Sequence, residues 1–373
     1  MKITKLETFF VKPHWLFLKM HTDEGLVGWG EPIVEGHAQT VAMAVKELES
    51  YLIGQDPRHI EKHWQVMYRG TFYRGGPVLV SAISGIDQAM WDILGKSLGV
   101  PVYHLLGGAV RDRIRIYSQC HGATPELIAN RAKELVAEGF TMLKAVIDGP
   151  IRHVDTKTYV RSQVNKIQAI REAVPETVDL AVDFHGRASP PMAIRLAQAF
   201  EEFDLMFIEE PVLPENIDAL VSVARSTTTP IATGERLFTR WGFREVLEKQ
   251  AAAIVQPDIC HAGGIGEVRK IAAMAETYYA AVAPHNPLGP ISLAASLQVD
   301  ACTPNFLCQE QITLGEGYLK QPFVQTNGYI DLPTAPGLGI ELDEEALSTT
   351  MADDGSWQIP HLFHEDDNSF GEW

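Results

Sequence analysis

One repeated unit fills most of this sequence: a short apolar run followed by an amphipathic stretch. The repeat begins at Arg115 and continues to about Gln311. Its apolar runs recur about every 25 residues, and most of the stretches between them carry apolar residues at the helical period. Strands that alternate with helices in this way favour a parallel sheet, and eight of them favour closure into a (β/α) barrel. The runs are residues 114–120, 142–148, 178–184, 205–208, 230–235, 252–259, 280–285 and 305–310.

The two ends of the chain do not follow this repeat. Residues 1–114 contain a strand pair around a turn and then helices, which predicts an α+β layer. Residues 328–373 return to short strands and turns and end in HEDDNSFGEW. We therefore predict an α/β fold: a modified (β/α)7β TIM-like barrel over 115–327, with an α+β capping domain formed by the N-terminal region and the C-terminal segment. For the last ten residues the alternative is a tail without fixed structure.

Composition limits the partners. Lys and Arg total 31 against 48 Asp and Glu, a formal charge of −17, so we expect neither nucleic acid nor an anionic membrane as a partner. No apolar run approaches the length of a membrane span, and the four cysteines form no C-x-x-C pair. We expect a cytoplasmic homo-oligomer with reduced thiols, in which an anionic substrate would need a local cation.

The stretch M206-F-I-E-E-P211 is an apolar run that stops on two glutamates. A hydrated strand end would explain it alone, but Asp183, Glu209 and Glu235 end three successive runs, each 26 residues after the last. Parallel strands bring such ends together at one mouth of a barrel. Clustered carboxylates without Cys or His partners suit Mg²⁺, so we predict these three residues as its ligands. Glu210 is expected to point to the other face, because side chains alternate along a strand.

Two histidines occur beside acidic residues at the same strand ends. Asp183 and His185 are two apart and are expected to share a face, which would place an imidazole beside the metal as a proton donor. His285 ends the seventh run and Asp258 the sixth, so the carboxylate is expected to orient the ring and raise its basicity. A lone histidine in an apolar run is more often a core residue, but the acidic neighbours favour catalytic roles for both.

Glu310 ends the eighth run. If its carboxyl is held protonated, it could donate a hydrogen bond to a developing oxyanion, and the alternative is a structural hydrogen bond.

These motifs resemble those of the enolase superfamily and its mandelate racemase-like subgroup. The resemblance runs from TDEGLVGWGEP and GIDQAMWDI through DFHGR, FIEEP, GER, QPD and APHNPLGPI to PGLG and the terminal HEDDNS, nearly the full chain. It implies Mg²⁺ on the three carboxylates, His285 with Asp258 as base and His185 as acid. The implied activity is dehydration of an acid sugar, with D-galactonate expected.

One position departs from the resemblance. Many relatives of mandelate racemase carry K-x-K on the second barrel strand, whereas this chain has Lys144-Ala145-Val146. Val146 carries no proton, so racemisation by two bases is disfavoured and elimination by one base is favoured. Lys144 is expected to pair either with a metal ligand, with the substrate carboxylate or in a structural salt bridge.

Several alternatives stay open from the sequence. Another aldonate such as gluconate, fuconate or arabinonate would fit the same chemistry, because the barrel residues determine the reaction at C2. The capping loops at 14–25 and 69–77 would determine which polyol chain is bound. An epimerase of the same superfamily and a non-catalytic relative are the next alternatives. An unrelated barrel hydrolase is disfavoured, because such enzymes generally use histidine ligands.

Overall fold

The computed structural model describes residues 1–351 and 356–373, so positions 352–355 of the predicted C-terminal segment lie outside the described residues. Within the described ranges, no helix combines the length and apolar composition that a membrane crossing requires.

The N-terminal region is a three-stranded antiparallel sheet covered by helices. Its second strand is apolar on both faces, with Leu16, Phe17 and Leu18 fully buried. The third strand approaches the longest helix so closely that a Cβ on Gly30 would lie 1.9 Å from the carbonyl oxygen of Gly85, which excludes any side chain there. The elements are β1 (Ile3–Val11), β2 (Trp15–Thr22), β3 (Val27–Gly30), α1 (Ala38–Leu52), α2 (Ile60–Arg69), α3 (Pro77–Leu98) and α4 (Val102–Leu105).

The central repeat forms the predicted (β/α)7β barrel. Strands β4 to β10 pair in chain order, all parallel, and β11 pairs with β4. A bridge between Val282 and Phe306 joins β10 to the segment before β11 and closes the ring. The elements are β4 (Arg113–Gln119), α5 (Pro125–Ala137), β5 (Met142–Val146), α6 (Lys157–Ala173), β6 (Asp179–Asp183), α7 (Pro190–Phe200), β7 (Phe207–Glu209), α8 (Ile217–Ala224), β8 (Ile231–Thr233), α9 (Thr239–Glu248), β9 (Ile254–Val255), α10 (Ile265–Thr277), β10 (Ala281–Val282), α11 (Pro290–Ala301) and β11 (Gln309–Glu310).

One apolar side chain from each barrel run meets in the interior. Large and small residues mostly alternate around this layer, so that the side chains fill the barrel without a pore. The interior layer consists of Tyr117, Met142, Ala181, Phe207, Ala232, Ile254, Ala283 and Cys308.

The capping domain is joined to the barrel through two buried carboxyl groups. Glu31 accepts hydrogen bonds from the backbone N–H groups of Gly289 (2.7 Å) and Ser292 (3.0 Å) at the start of α11. Asp87 accepts one from Gly266 (3.4 Å) at the start of α10. Helix N-termini favour such acceptors, although burial raises the pKa of both carboxyls to about 8.

The C-terminal segment contacts both parts of the molecule. A hairpin of β12 (Gln325–Thr326) and β13 (Tyr329–Asp331) adds antiparallel to β4. Helix α12 (Glu344–Thr350) returns to the capping domain, where Lys19 donates to Glu344 at 2.7 Å. The last residues are structured: β14 (Leu362–Phe363) pairs with β15 (Phe370–Gly371).

Candidate active site

A layer of mostly polar residues follows the interior layer toward the C-terminal mouth of the barrel. Side chains two positions apart on a strand share a face, so the residue two positions after each apolar one also faces inward. On seven of the eight runs that residue is polar and on the fifth it is glycine. The seven polar residues are Gln119, Lys144, Asp183, Glu209, Gln256, His285 and Glu310.

The structure brings the three predicted metal ligands together. Asp183, Glu209 and Glu235 are buried, and each offers a carboxylate oxygen within 4.8 Å of the others. Asp183 and Glu209 end their strands as expected, whereas Glu235 lies two residues beyond the end of β8. Burial raises the pKa of Glu209 to about 7, against the opposing effect of Lys144, and raises the pKa of Glu235 well above its ordinary range. Among the described residues Oε2 of Glu235 has no hydrogen-bond partner. A group of hard oxygen donors, one of them unsatisfied, fits a divalent cation.

Glu210 does not take the place of Glu209 in this group. Its backbone leaves the strand with φ of 38°, and its buried carboxylate accepts hydrogen bonds from Thr233 and from the N–H of Gly234 (2.8 Å). The expectation that Glu210 lies apart from the ligands agrees with this geometry, but the cause is a turn of the backbone rather than strand alternation.

Lys144 is buried among the acidic groups. Its Nζ lies 2.7 Å from Oε1 of Glu209, 2.9 Å from Oε1 of Glu310 and 3.7 Å from Oδ2 of Asp183. Burial would lower the pKa of Lys144, but the charges of Glu209 and Glu310 raise it well above its ordinary value. Of the three expected partners for this lysine, the structure places a predicted metal ligand beside it.

The contacts of Glu310 match the second of its two expected roles, the structural hydrogen bond. Burial alone would raise its pKa, but Lys144 and His285 lower the pKa to about 2. Its Oε1 accepts from Gln119 Nε2 (2.9 Å), and its Oε2 accepts from the backbone N–H of Asn286 (3.0 Å). These contacts favour the structural alternative: Glu310 is an acceptor that holds Lys144 and Gln119 in place.

His285 and Asp258 form the predicted pair. Nδ1 of His285 lies 2.8 Å from Oδ2 of Asp258, and Nε2 lies 3.5 Å from Oε2 of Glu235. Burial would lower the pKa of His285, yet Glu235, the hydrogen bond to Asp258 and Glu310 together raise it well above its ordinary value. Both residues lie three positions beyond their strands rather than at the strand ends, because β9 and β10 are shorter than their apolar runs.

His185 does not continue strand β6, as the alternation argument assumed. Its backbone has φ of 58°, in the left-handed region, and its N–H donates to Oδ1 of Asp183 at 2.6 Å. The ring still lines the cavity at the barrel mouth. Burial lowers the pKa of the ring, with Asp183 opposing this effect. Its Nδ1 lies 3.2 Å from the carbonyl oxygen of Trp373.

A cavity of about 870 Å³ connects these groups. His185 and His285 both line it, and so do Asp183 and Glu235. Cationic side chains suited to an anionic ligand also line the cavity: Lys144, Lys166, Arg187 and Arg236.

Sequence reasoning did not identify three residues of this site. Gln256 donates to Oε2 of Glu209 at 2.8 Å, and Gln119 donates to Glu310. Counting two positions on from each interior apolar residue could have found both. Trp373 lies 188 positions from His185 in sequence, and no periodicity signals its contact.

Comparisons with known proteins match both parts of the chain. Residues 8–107 match the mandelate racemase/muconate lactonizing enzyme N-terminal domain, and residues 127–346 match the enolase C-terminal domain-like family. The chain is 49% identical to the D-galactonate dehydratase of Ralstonia nicotianae and 48% identical to that of Cronobacter sakazakii, over 100% of both chains in each case.

Solved structures agree with this match. The mandelate racemase/muconate lactonizing enzyme from Sulfitobacter superposes with a TM-score of 0.89 at 35% identity, covering 94% of this chain and 95% of that chain. The enzyme of the same description from Jannaschia gives a TM-score of 0.89 at 34% identity, covering 94% of this chain and 98% of that one.

Proposed function

Since the chain belongs to the mandelate racemase/muconate lactonizing enzyme family, we propose that it dehydrates D-galactonate to 2-dehydro-3-deoxy-D-galactonate and water. The observation that carries the proposal is the full-length identity of 49% to a D-galactonate dehydratase, in a chain whose acid and base candidates line one cavity. The predicted ligands, base and acid enter the proposal with their sequence-predicted roles, and Glu310 enters it with the structural role.

The proposed metal is Mg²⁺, held by Asp183, Glu209 and Glu235. When bound there, it would supply positive charge to the carboxylate and 2-hydroxyl of the substrate, which makes the C2 proton more acidic. The donor set supports this choice, because hard carboxylate oxygens without sulfur or nitrogen suit Mg²⁺.

His285 is the proposed base. The 2.8 Å contact with Asp258 engages Nδ1, which leaves Nε2 to take the C2 proton of the substrate. Asp258 then stabilises the imidazolium that forms, as a buried carboxylate beside Nδ1 does in other acid–base pairs. By resemblance, a base on the seventh run meets the proton of a 2R acid, and D-galactonate is such an acid.

His185 is the proposed acid. Loss of the C2 proton leaves an electron pair that forms the C2–C3 double bond, while the C3–O bond breaks and the departing hydroxyl takes a proton from His185. The products are water and an enol, which tautomerises to the 2-keto-3-deoxy acid. Lys144 and Glu310 are proposed to hold the ligand geometry, since each contacts a buried charge of the site.

A panel of aldonates tests the substrate. The protein is incubated with Mg²⁺ and D-galactonate, D-gluconate, D-fuconate or D-arabinonate, and 2-keto-3-deoxy acids are measured. D-Galactonate should give the highest kcat/KM. Turnover of another aldonate alone would change the substrate and keep the chemistry, whereas epimerisation without dehydration would overturn the proposal.

The assembly and location are parts of the same proposal. We propose a homo-oligomer in the cytoplasm, and the four buried, unpaired cysteines support a reducing compartment. Light scattering of the purified protein and fractionation of the source cell test these two points.

A further inference from the structure

The end of the chain reaches the acid side of the cavity. The ring of Trp373 lies 4.6 Å from the ring of His185, centroid to centroid, at an interplanar angle of 60°. The carbonyl oxygen of the same residue lies 3.2 Å from Nδ1 of His185. The guanidinium of Arg187 lies over the Trp373 ring at 6.0 Å. One residue therefore contacts His185 through both its backbone and its side chain.

The carbonyl contact determines which nitrogen of His185 carries a proton. A backbone oxygen can only accept, whether it belongs to a carbonyl or to a carboxylate, so Nδ1 must donate, and Nε2 is left to face the substrate. When His185 has given its Nε2 proton to the leaving hydroxyl, the neutral ring retains its proton on Nδ1. The Trp373 carbonyl can accept from that N–H both before and after the transfer.

We propose that Trp373 is the positioning residue of His185, the counterpart on the acid side of Asp258 on the base side. This inference rests on the proposed function, in which His185 serves elimination and His285 serves proton removal at C2. Other groups that face His185 hold its backbone: Asp183 accepts from its N–H, and Arg236 donates to its carbonyl. The ring itself contacts Trp373, through the backbone oxygen and the indole.

The preceding residues fix the position of Trp373. Nη2 of Arg152 donates to Asp366 (2.5 Å) and to Asp367 (3.1 Å), which ties the tail to the loop after β5. Gly371 is buried so tightly that a Cβ there would lie 2.1 Å from Cβ of Pro150. The tail therefore has a fixed position on the barrel, and a methyl group at residue 371 would displace the tail.

The test separates the two half-reactions. Wild-type protein and variants are incubated with D-galactonate and Mg²⁺ in D₂O, and deuterium at C2 of recovered substrate is compared with the amount of dehydrated product. Two variants disturb the contact differently: a chain stopped after Glu372 removes the ring and the carbonyl, and Gly371→Ala displaces both. Each should raise the ratio of exchanged substrate to product about 10- to 100-fold, the usual effect of losing a residue that orients a functional histidine.

Two further variants serve as controls. Trp373→Phe keeps the carbonyl and an aromatic ring and should change the ratio least among the changes at this residue. Phe370→Ala removes an exposed ring from the same hairpin, one that contacts Phe363 and His361 rather than His185, and should leave the ratio unchanged.

The outcomes distinguish the two proposals. A wild-type protein that dehydrates no aldonate would overturn the function itself. If the wild type dehydrates D-galactonate while exchange and dehydration fall in parallel in both tail variants, or neither changes, Trp373 does not position the acid. Melting temperatures measured alongside identify any variant that loses exchange through unfolding. If both tail variants unfold, Trp373→Ala, which removes the ring and keeps the backbone, is compared with Trp373→Phe, and a ratio in Trp373→Ala no higher than that in Trp373→Phe would overturn the proposal.

Discussion

Nζ of Lys144 lies 2.7 Å from Oε1 of Glu209, so a buried lysine shares a carboxylate with the proposed metal site. The same ammonium reaches Glu310 at 2.9 Å. Lys144 therefore neutralises part of the acidic group, and the proposed divalent cation would neutralise the rest.

Lys144→Met should destabilise the metal-free protein by about 3–5 kcal/mol, because it leaves buried carboxylates without their partner. Added Mg²⁺ should stabilise Lys144→Met more than it stabilises the wild type, because the variant site carries more uncompensated negative charge. Melting temperatures with EDTA and with Mg²⁺ measure both effects. Lys320→Met removes an exposed lysine and should change neither value. An equal Mg²⁺-induced shift in Lys144→Met and wild type would contradict the shared neutralisation.

Removal of the proposed metal should abolish turnover, because Lys144 alone then compensates three buried carboxylates that lie beside the substrate anion. Exhaustive EDTA treatment followed by dialysis gives the metal-free protein, and added Mg²⁺ should restore dehydration. Full activity in a sample that metal analysis shows to be free of divalent cations would contradict the proposed metal site.

Replacement of the two histidines should impair different steps of the reaction. His285→Asn should lose C2 proton exchange in D₂O by at least about 100-fold, because Nε2 of His285 is the proposed base. His185→Asn should lose dehydration by a similar factor while retaining exchange on bound substrate. Mass spectrometry of recovered galactonate, together with product formation, gives both rates. Exchange at the wild-type rate in His285→Asn would show that another group takes the proton.

Val146 leads to a prediction about stereochemistry. With a base on the His285 side only, turnover of D-galactonate in D₂O should give dehydrated product and no accumulation of deuterated D-talonate, the C2 epimer. Chromatography of the remaining acid sugars measures this. The epimer as a major product would mean that Lys144, two residues before Val146, serves the opposite face.

Glu31 should make the folded state less stable as the pH rises. Burial raises the pKa of this carboxyl from 4.5 to about 8, so between these values the folded state holds a proton that the unfolded state has released. The stability from this group is complete below pH 4.5 and is lost as the pH rises through about 8, with a slope of about 1.4 kcal/mol per pH unit.

Urea unfolding at pH 6 and pH 8 tests the Glu31 effect by comparison. Glu31→Gln cannot titrate, so its free energy of unfolding should fall less between the two pH values than that of the wild type. Asp87, whose pKa burial also raises to about 8, contributes equally in both proteins and cancels. Identical slopes in wild type and variant would assign the pH dependence to other groups.

The sequence predicted the barrel and the carboxylate group because both follow from regular spacing. The interval of 26 residues carries Asp183, Glu209 and Glu235 to the same mouth, whatever the helices between them contain. Local backbone geometry was harder to predict from the sequence. Glu235 lies beyond its strand, and His185 turns into the left-handed region, since strand length depends on pairing with neighbours rather than on the apolar run alone.

Contacts that depend on charge and on long sequence separation were left open or missed. The sequence left two roles open for Glu310, because strand periodicity does not report the sum of nearby charges, and the ammonium of Lys144 beside it favours the structural one. The place of Trp373 was missed for a different reason. The position of Trp373 depends on how the whole C-terminal segment packs on the barrel. The contacts of this segment with Pro150 and Arg152 form only in the folded chain.

The interior layer around Tyr117, Met142 and Phe207 gives the cavity a closed base. The charged groups of the proposed site lie directly above it, so a substrate bound at these groups could not extend deeper into the barrel. A longer or differently branched acid sugar can be accommodated only outward, where the cavity is lined by the capping domain and the last residues of the chain. Selection among sugar acids can therefore change at that outer rim, residue by residue, while the chemistry at the base of the cavity stays the same.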